Sequence, residues 1–114
     1  MPVRPVQGDV ALAPLARTAS ANSGPVAAAG AAQIAVLLVH CSAASGTTPT
    51  LDAVLEQSAD GSSWSTLAGS GITQLTAAGN RVSSGAVTAN YVRAALTIGG
   101  TTPSFTCSAS ILFV

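Results

Sequence analysis

The chain has 114 residues, the length of one domain. Charged residues make up 7% of it, against about 25% in an average soluble protein. Arg4, Arg17, Arg81 and Arg93 balance Asp9, Asp52, Glu56 and Asp60, there is no lysine, and the net charge is zero. Four scattered arginines exclude the cationic patch that a nucleic-acid binder needs to displace counterions. So weakly charged a surface suits a protein that is packed against other copies or partners.

In chain order, the first 25 residues read as an extended arm. Pro2, Pro5 and Pro14 forbid a regular helix there, and the Ala, Ser, Gly and Val between them bury little locally. Residues 26–114 form the folded domain, and from about Gly30 the pattern becomes one of strands and turns. Ile34 to Ser42 is an apolar strand. Gly46-Thr47-Thr48-Pro49 is a turn, and Thr50 to Ser58 returns with Leu51, Ala53 and Leu55 on one face and Asp52, Val54 and Glu56 on the other. Asp60-Gly61 makes a second turn. Trp64 to Leu67, Ile72 to Thr76, Arg81 to Thr88, Tyr91 to Ile98 and Phe105 to Val114 complete the set. No stretch of 3.6-residue periodicity is long enough for a helix. The expectation is an all-β domain, a β-sandwich or jelly-roll-like arrangement of about seven or eight antiparallel strands with an extended N-terminal arm.

Two details sharpen it. Gly46-Thr47-Thr48-Pro49 recurs as Gly100-Thr101-Thr102-Pro103, which suggests pseudo-symmetric halves lying side by side in one sheet. In the last strand Phe105, Cys107, Ala109, Ile111 and Phe113 share a face, so Cys107 belongs in the core. Ile34 to Val39, by contrast, is apolar on both faces. Such a strand is either covered on both sides or lies beneath a subunit contact.

The two cysteines, Cys41 and Cys107, have no metal-site spacing and read as buried free thiols. They can pair only if the fold brings their Cα atoms within about 7 Å. The N-terminus lacks the basic and apolar regions of a signal peptide, so synthesis in the cytoplasm is expected. The longest apolar stretch, Pro25 to Val39, is too short to span a bilayer, and no membrane contact is expected.

The parts of an enzyme are missing from the sequence. His40 is the sole histidine and sits in the most apolar strand, with no nucleophile elbow to serve. Asp52 and Glu56, four positions apart on one strand, stand ~13 Å from each other, too far for a paired-carboxylate site. Asp60 reads as a turn cap. No phosphate loop, dinucleotide fingerprint, metal cluster or cofactor site is present, and no catalytic residue is assigned. Trp64 reads as a core anchor, and Tyr91 with Arg93, on one strand face, as a possible interface pair.

Ser58-Ala59-Asp60-Gly61-Ser62-Ser63-Trp64 resembles the S-x-D-G-x-x-W hairpin of discoidin-type and other carbohydrate-binding β-sandwiches. More broadly, G-T-T-P-T-L-D-A-V-L-E-Q-S-A-D-G-S-S-W, Q-L-T-A-A-G, Y-V-R-A and G-G-T-T-P-S-F-T together resemble small virion proteins of tailed bacteriophages, over about residues 34 to 114. That resemblance implies a head decoration (cement) protein that contacts the major capsid protein and itself, as a trimer, on the outer surface of the virion. No catalytic residue comes with it. The residues expected at such contacts are Pro2, Val3, Arg4, Pro5, Val6, Leu12, Leu15 and Arg17 in the arm, Val36, Leu38 and His40 in the apolar strand, and Tyr91 and Arg93. The alternatives are a tail or baseplate accessory protein, or a carbohydrate-binding module.

Overall fold

A computed structural model describes residues 7–28 and 33–114. Seven strands form one antiparallel sheet: β1 (Gln7–Arg17), β2 (Ala21–Asn22), β3 (Val26–Ala27), β4 (Gln33–Ser58), β5 (Ser65–Thr66), β6 (Gly79–Val87) and β7 (Tyr91–Phe113). Two of them dominate. β4 and β7 pair from Ala35↔Phe113 to Ser58↔Tyr91, and their outer edges are lined along nearly their whole length. β1, β2 and β3 follow one another along β7. β5, the bridge Leu51↔Leu75 and β6 follow one another along β4.

A flat strand of 26 residues would run about 85 Å, yet the longest dimension of the molecule is 51 Å. The sheet is folded. The fold line crosses β4 at Gly46–Pro49 and β7 at Gly100–Pro103, where the ladder is interrupted by register shifts and Thr47 faces Thr101. Gly46 and Gly100 take φ of 110° and 109°, and Thr48 and Thr102 both take φ of 47°. The two copies of Gly-Thr-Thr-Pro are therefore a matched pair of bulges, each bending one strand against the other.

The fold line makes two leaves. The first holds β1, residues 104–113 of β7, residues 33–45 of β4, and β6; the second holds β2, β3, residues 91–99 of β7, residues 50–58 of β4, and β5. Their faces meet. Val87 pairs beside Gln33, Tyr91 pairs beside Ser58, and only residues 88–90 separate them, so the two ends of β4 are brought together. Gln57 in the second leaf secures that link by accepting hydrogen bonds from the Thr88 and Ala89 amides at 2.9 and 3.2 Å.

Between the leaves lies a single core. Ala35, Leu37, Val39, Cys41, Phe105, Cys107, Ala109, Ile111 and Phe113 come from the first leaf. Leu51, Ala53, Leu55, Val92, Ala94 and Leu96 come from the second, and Leu67 and Leu75 from the segment between β5 and β6. Full burial of each large apolar side chain contributes about 1.5–3 kcal/mol. The alternation read from the sequence places Leu51, Ala53 and Leu55 of β4 and the last part of β7 correctly, whereas the strand 34–39, apolar on both faces, showed no alternation to read.

Several expectations are corrected. Gly46–Pro49 is not a turn between two strands: the runs before and after it are one strand, β4. The same holds for Tyr91–Ile98 and Phe105–Val114, which merge into β7. Ile72–Thr76 is not a strand, although Ile72 N donates to Ala53 O and Leu75 N to Leu51 O, both at 2.9 Å. Trp64 is half-buried and stands outside the core cluster. The expected boundary at residue 25 does not mark the edge of the sheet either, because Gln7–Arg17 runs antiparallel to β7 as its edge strand. Pro14 is accommodated at a register shift between Leu12 and Leu15, where no ladder donor is needed.

Candidate interaction surface

The strand that is apolar on both faces, 34–39, has one face in the core and the other open. Ala35, Leu37 and Val39 are buried, whereas Ile34 and Leu38 are 48% and 38% exposed. Cross-strand register builds this open side into a patch. Leu38 lies beside Val82 of β6, which is 64% exposed, and Val36 lies between Ser84 and Leu112. Ile34 lies beside Ala86 and exchanges two backbone hydrogen bonds with Val114, itself exposed. None of these side chains carries a charge.

His40 ends the patch, in a row with Asn80 and Ser108. Its Nδ1–H donates to the Asn80 amide oxygen. A histidine between an amide and a hydroxyl suggests a nucleophile–base pair. Both neighbours belong to strands paired with β4 in register, so the three side chains line one edge of the apolar patch. The row is a polar rim to an apolar face.

The outer side of the second leaf is different in character. Arg93 Nε donates to Glu56 Oε1 at 2.7 Å across the β4–β7 ladder, with both side chains about one-fifth exposed, at 22% and 20%. The Arg93 guanidinium lies 4.4 Å from the centre of the Trp64 ring. Tyr91 is half-buried near the Asp60-Gly61 turn, 4.0 Å from where a Cβ on Gly61 would stand. In that turn the amides of Ser62 and Ser63 donate to Asp60 Oδ1 at 2.9 and 3.0 Å, and the Ser58 hydroxyl does so at 3.0 Å. These donors, Ser63 first, hold the Asp60 carboxyl well below the usual carboxylate range. Asp60 is the turn cap that its position implied.

The expected contact residues fall in three places. Val36, Leu38 and His40 are gathered on the open face of the first leaf, and Tyr91 and Arg93 on the opposite leaf. Leu12 packs against the core, Leu15 is 58% exposed on the edge strand, and Arg17 is half-buried with its Nη2 donating to Ala13 O at 2.8 Å. Pro2, Val3, Arg4, Pro5 and Val6 lie outside the described residues. Ile34, Val82 and Leu112 complete the face. Ile34 belongs to the strand already singled out, but Val82 and Leu112 become its neighbours only through pairings distant in sequence.

Among the described residues no three metal-ligating side chains cluster, and no helix is long and apolar enough to cross a membrane. Arg81, like Arg17, is tied to backbone carbonyls, those of Thr73 and Asn80 at 3.0 and 2.9 Å.

No protein-family profile and no curated protein matches the chain. Among solved structures it is similar to a chain of infectious bursal disease virus, Gx strain, with a TM-score of 0.54 and 14% identity. The match covers 96% of this chain and 32% of that one, so this chain spans about a third of its neighbour's length. At that identity the likeness is one of fold. What the sequence and the structure share, then, is an all-β fold also found in a virus.

Proposed function

We propose that this is a non-enzymatic structural protein of a virus particle, which decorates the outside of the capsid and stabilises it. The observation that carries this reading is the uncharged apolar face of the first leaf, formed by Ile34, Val36, Leu38, Val82 and Leu112. An open apolar sheet patch without charged side chains is costly to leave in water and has nothing to repel a neighbouring protein. The fold likeness to a virus chain and the sequence resemblance to tailed-phage virion proteins support the setting. The partners are the major capsid protein and further copies of this chain, arranged as a trimer, and the protein is made in the host cytoplasm before it joins the virion. Repeated over a lattice, individually weak contacts add up to strong retention. A sugar-binding role is less favoured, since Arg93 covers the Trp64 ring that such a site would present.

Co-sedimentation tests this directly. Purified protein is mixed with capsids from a phage strain lacking its gene, alongside the variant Leu38→Asp/Val82→Asp. The wild type is expected to pellet with the shells and the variant to stay in the supernatant with an unchanged β-type circular dichroism spectrum. Failure of the wild type to pellet would overturn the capsid reading; equal binding by both would remove this face from it.

A further inference from the structure

Cys41 and Cys107 are 66 positions apart in sequence, yet they are direct register partners across the β4–β7 ladder. Both are free, both are buried, and both side chains belong to the core cluster, so both point to the same side of the sheet. Directly opposed residues in an antiparallel pair have Cα atoms about 4.5 or 5.5 Å apart, depending on the type of pair. Either value lies within the range of about 4.4–6.8 Å that a disulfide spans. No backbone movement is needed to join them.

The surroundings of the two thiols differ. Cys41 Sγ–H donates to Ala43 O at 3.2 Å, and burial pushes this thiol up. Arg17, at the end of β1, has a buried Nε with no hydrogen-bond partner among the described residues. Burial pushes the Cys107 thiol up as well, and there the Arg17 guanidinium offsets part of that rise. The pair sits immediately before the register shift between Cys41 and Ala43 that leads into the fold line.

From this geometry we infer that Cys41 and Cys107 form an oxidisable dithiol, which a small-molecule disulfide such as oxidised glutathione closes into an intramolecular cross-strand bond. The Cys107 thiolate attacks one sulfur of oxidised glutathione, forming a mixed disulfide and releasing one glutathione thiolate. The Cys41 thiol then loses its proton and attacks the Cys107 sulfur, closing the bond and releasing the second. Two electrons pass from the protein to glutathione, and the two thiol protons reach the two departing thiolates through solvent. Burial makes the native dithiol slow to react, so closure takes place as the chain folds or on local opening. The closed form ties β4 to β7 beside the fold line.

The test is a redox titration of the full chain in glutathione buffers, in native buffer and in concentrated guanidinium chloride, with free thiols trapped by iodoacetamide and products read by intact mass. If the native register favours the bond, the effective concentration of one thiol at the other exceeds its value in denaturant by about tenfold or more. The product is then lighter by two hydrogens, and non-reducing digestion yields a linked Cys41–Cys107 peptide. An effective concentration in native buffer equal to or below that in denaturant would overturn the inference, as would a product carrying glutathione on both cysteines.

Discussion

A Cβ built on Gly46 would stand 2.6 Å from the Thr102 carbonyl oxygen, and one on Gly100 would stand 2.6 Å from that of Thr48. Space and positive φ therefore both demand glycine at two equivalent positions. Gly46→Ala and Gly100→Ala are each expected to cost about 3 kcal/mol in urea unfolding, whereas Gly71→Ala, with open space around it, should cost far less. Ser70 makes a second demand. Its fully buried hydroxyl accepts from Leu55 N at 3.1 Å and donates to Leu67 O at 2.7 Å, so Ser70→Ala strands a buried amide and should cost about 1–3 kcal/mol. Asp60 adds a pH signature. Its folded-state pKa is lowered, so its contribution is complete above the ordinary aspartate value of about 3.9 and fades as pH falls below it toward the lowered folded value. Thermal unfolding of Asp60→Asn should differ from wild type at pH 7 and converge on it as the pH falls into the strongly acid range; a difference that persists undiminished there would contradict this. At this scale the sequence was readable wherever a residue acts locally, as in the Asp60 cap. The repeated Gly-Thr-Thr-Pro was recognised as an echo but misplaced as a turn. A hairpin turn and a mid-strand bulge both use a glycine at positive φ, and what separates them is a partner 54 residues away.

At the scale of elements, side-chain alternation was the strongest signal. It assigned the core faces of residues 50–58 of β4 and of the end of β7, because a half-buried strand writes its environment into a period of two; residues 34–39, apolar on both faces, carried no such period. It could not reveal that short runs join into strands of 26 and 23 residues, since a bend in a strand interrupts the pattern as a loop does. The N-terminal segment shows the same limit. Its prolines do exclude a helix, but an edge strand tolerates proline at bulges. Ser23 illustrates how the segment is held: its hydroxyl accepts from Ala94 N at 2.8 Å and its own amide donates to Ala94 O at 2.8 Å. Deleting residues 1–17 would bare the edge of β7 next to the core. The truncated protein is expected to unfold roughly 10 °C or more below the full chain and to aggregate; a melting temperature within a few degrees of the full chain would show β1 to be dispensable. A capsid-contact role for the arm is therefore tested by removing residues 1–6 alone, which leaves the paired strand whole.

At the scale of the molecule, one closed core is shared by two leaves whose outer sides differ. The second leaf carries the Glu56–Arg93 pair under Trp64, a polar and aromatic surface with its partners already in place. The first presents Ile34, Val36, Leu38, Val82 and Leu112, a patch with no charged side chain among the described residues that form it, and it is this asymmetry that the proposed role uses. Part of the face was legible: Val36, Leu38 and His40 follow from the doubly apolar strand. Val82 and Leu112 were not, because their place beside it depends on long-range register. The central claim is that the protein is a component of a virus shell, and quantitative mass spectrometry of gradient-purified particles of the parent virus tests it most directly. The account predicts a ratio near one copy per major capsid subunit. A handful of copies would place the protein in the tail instead, and its absence from the particles would contradict the account outright.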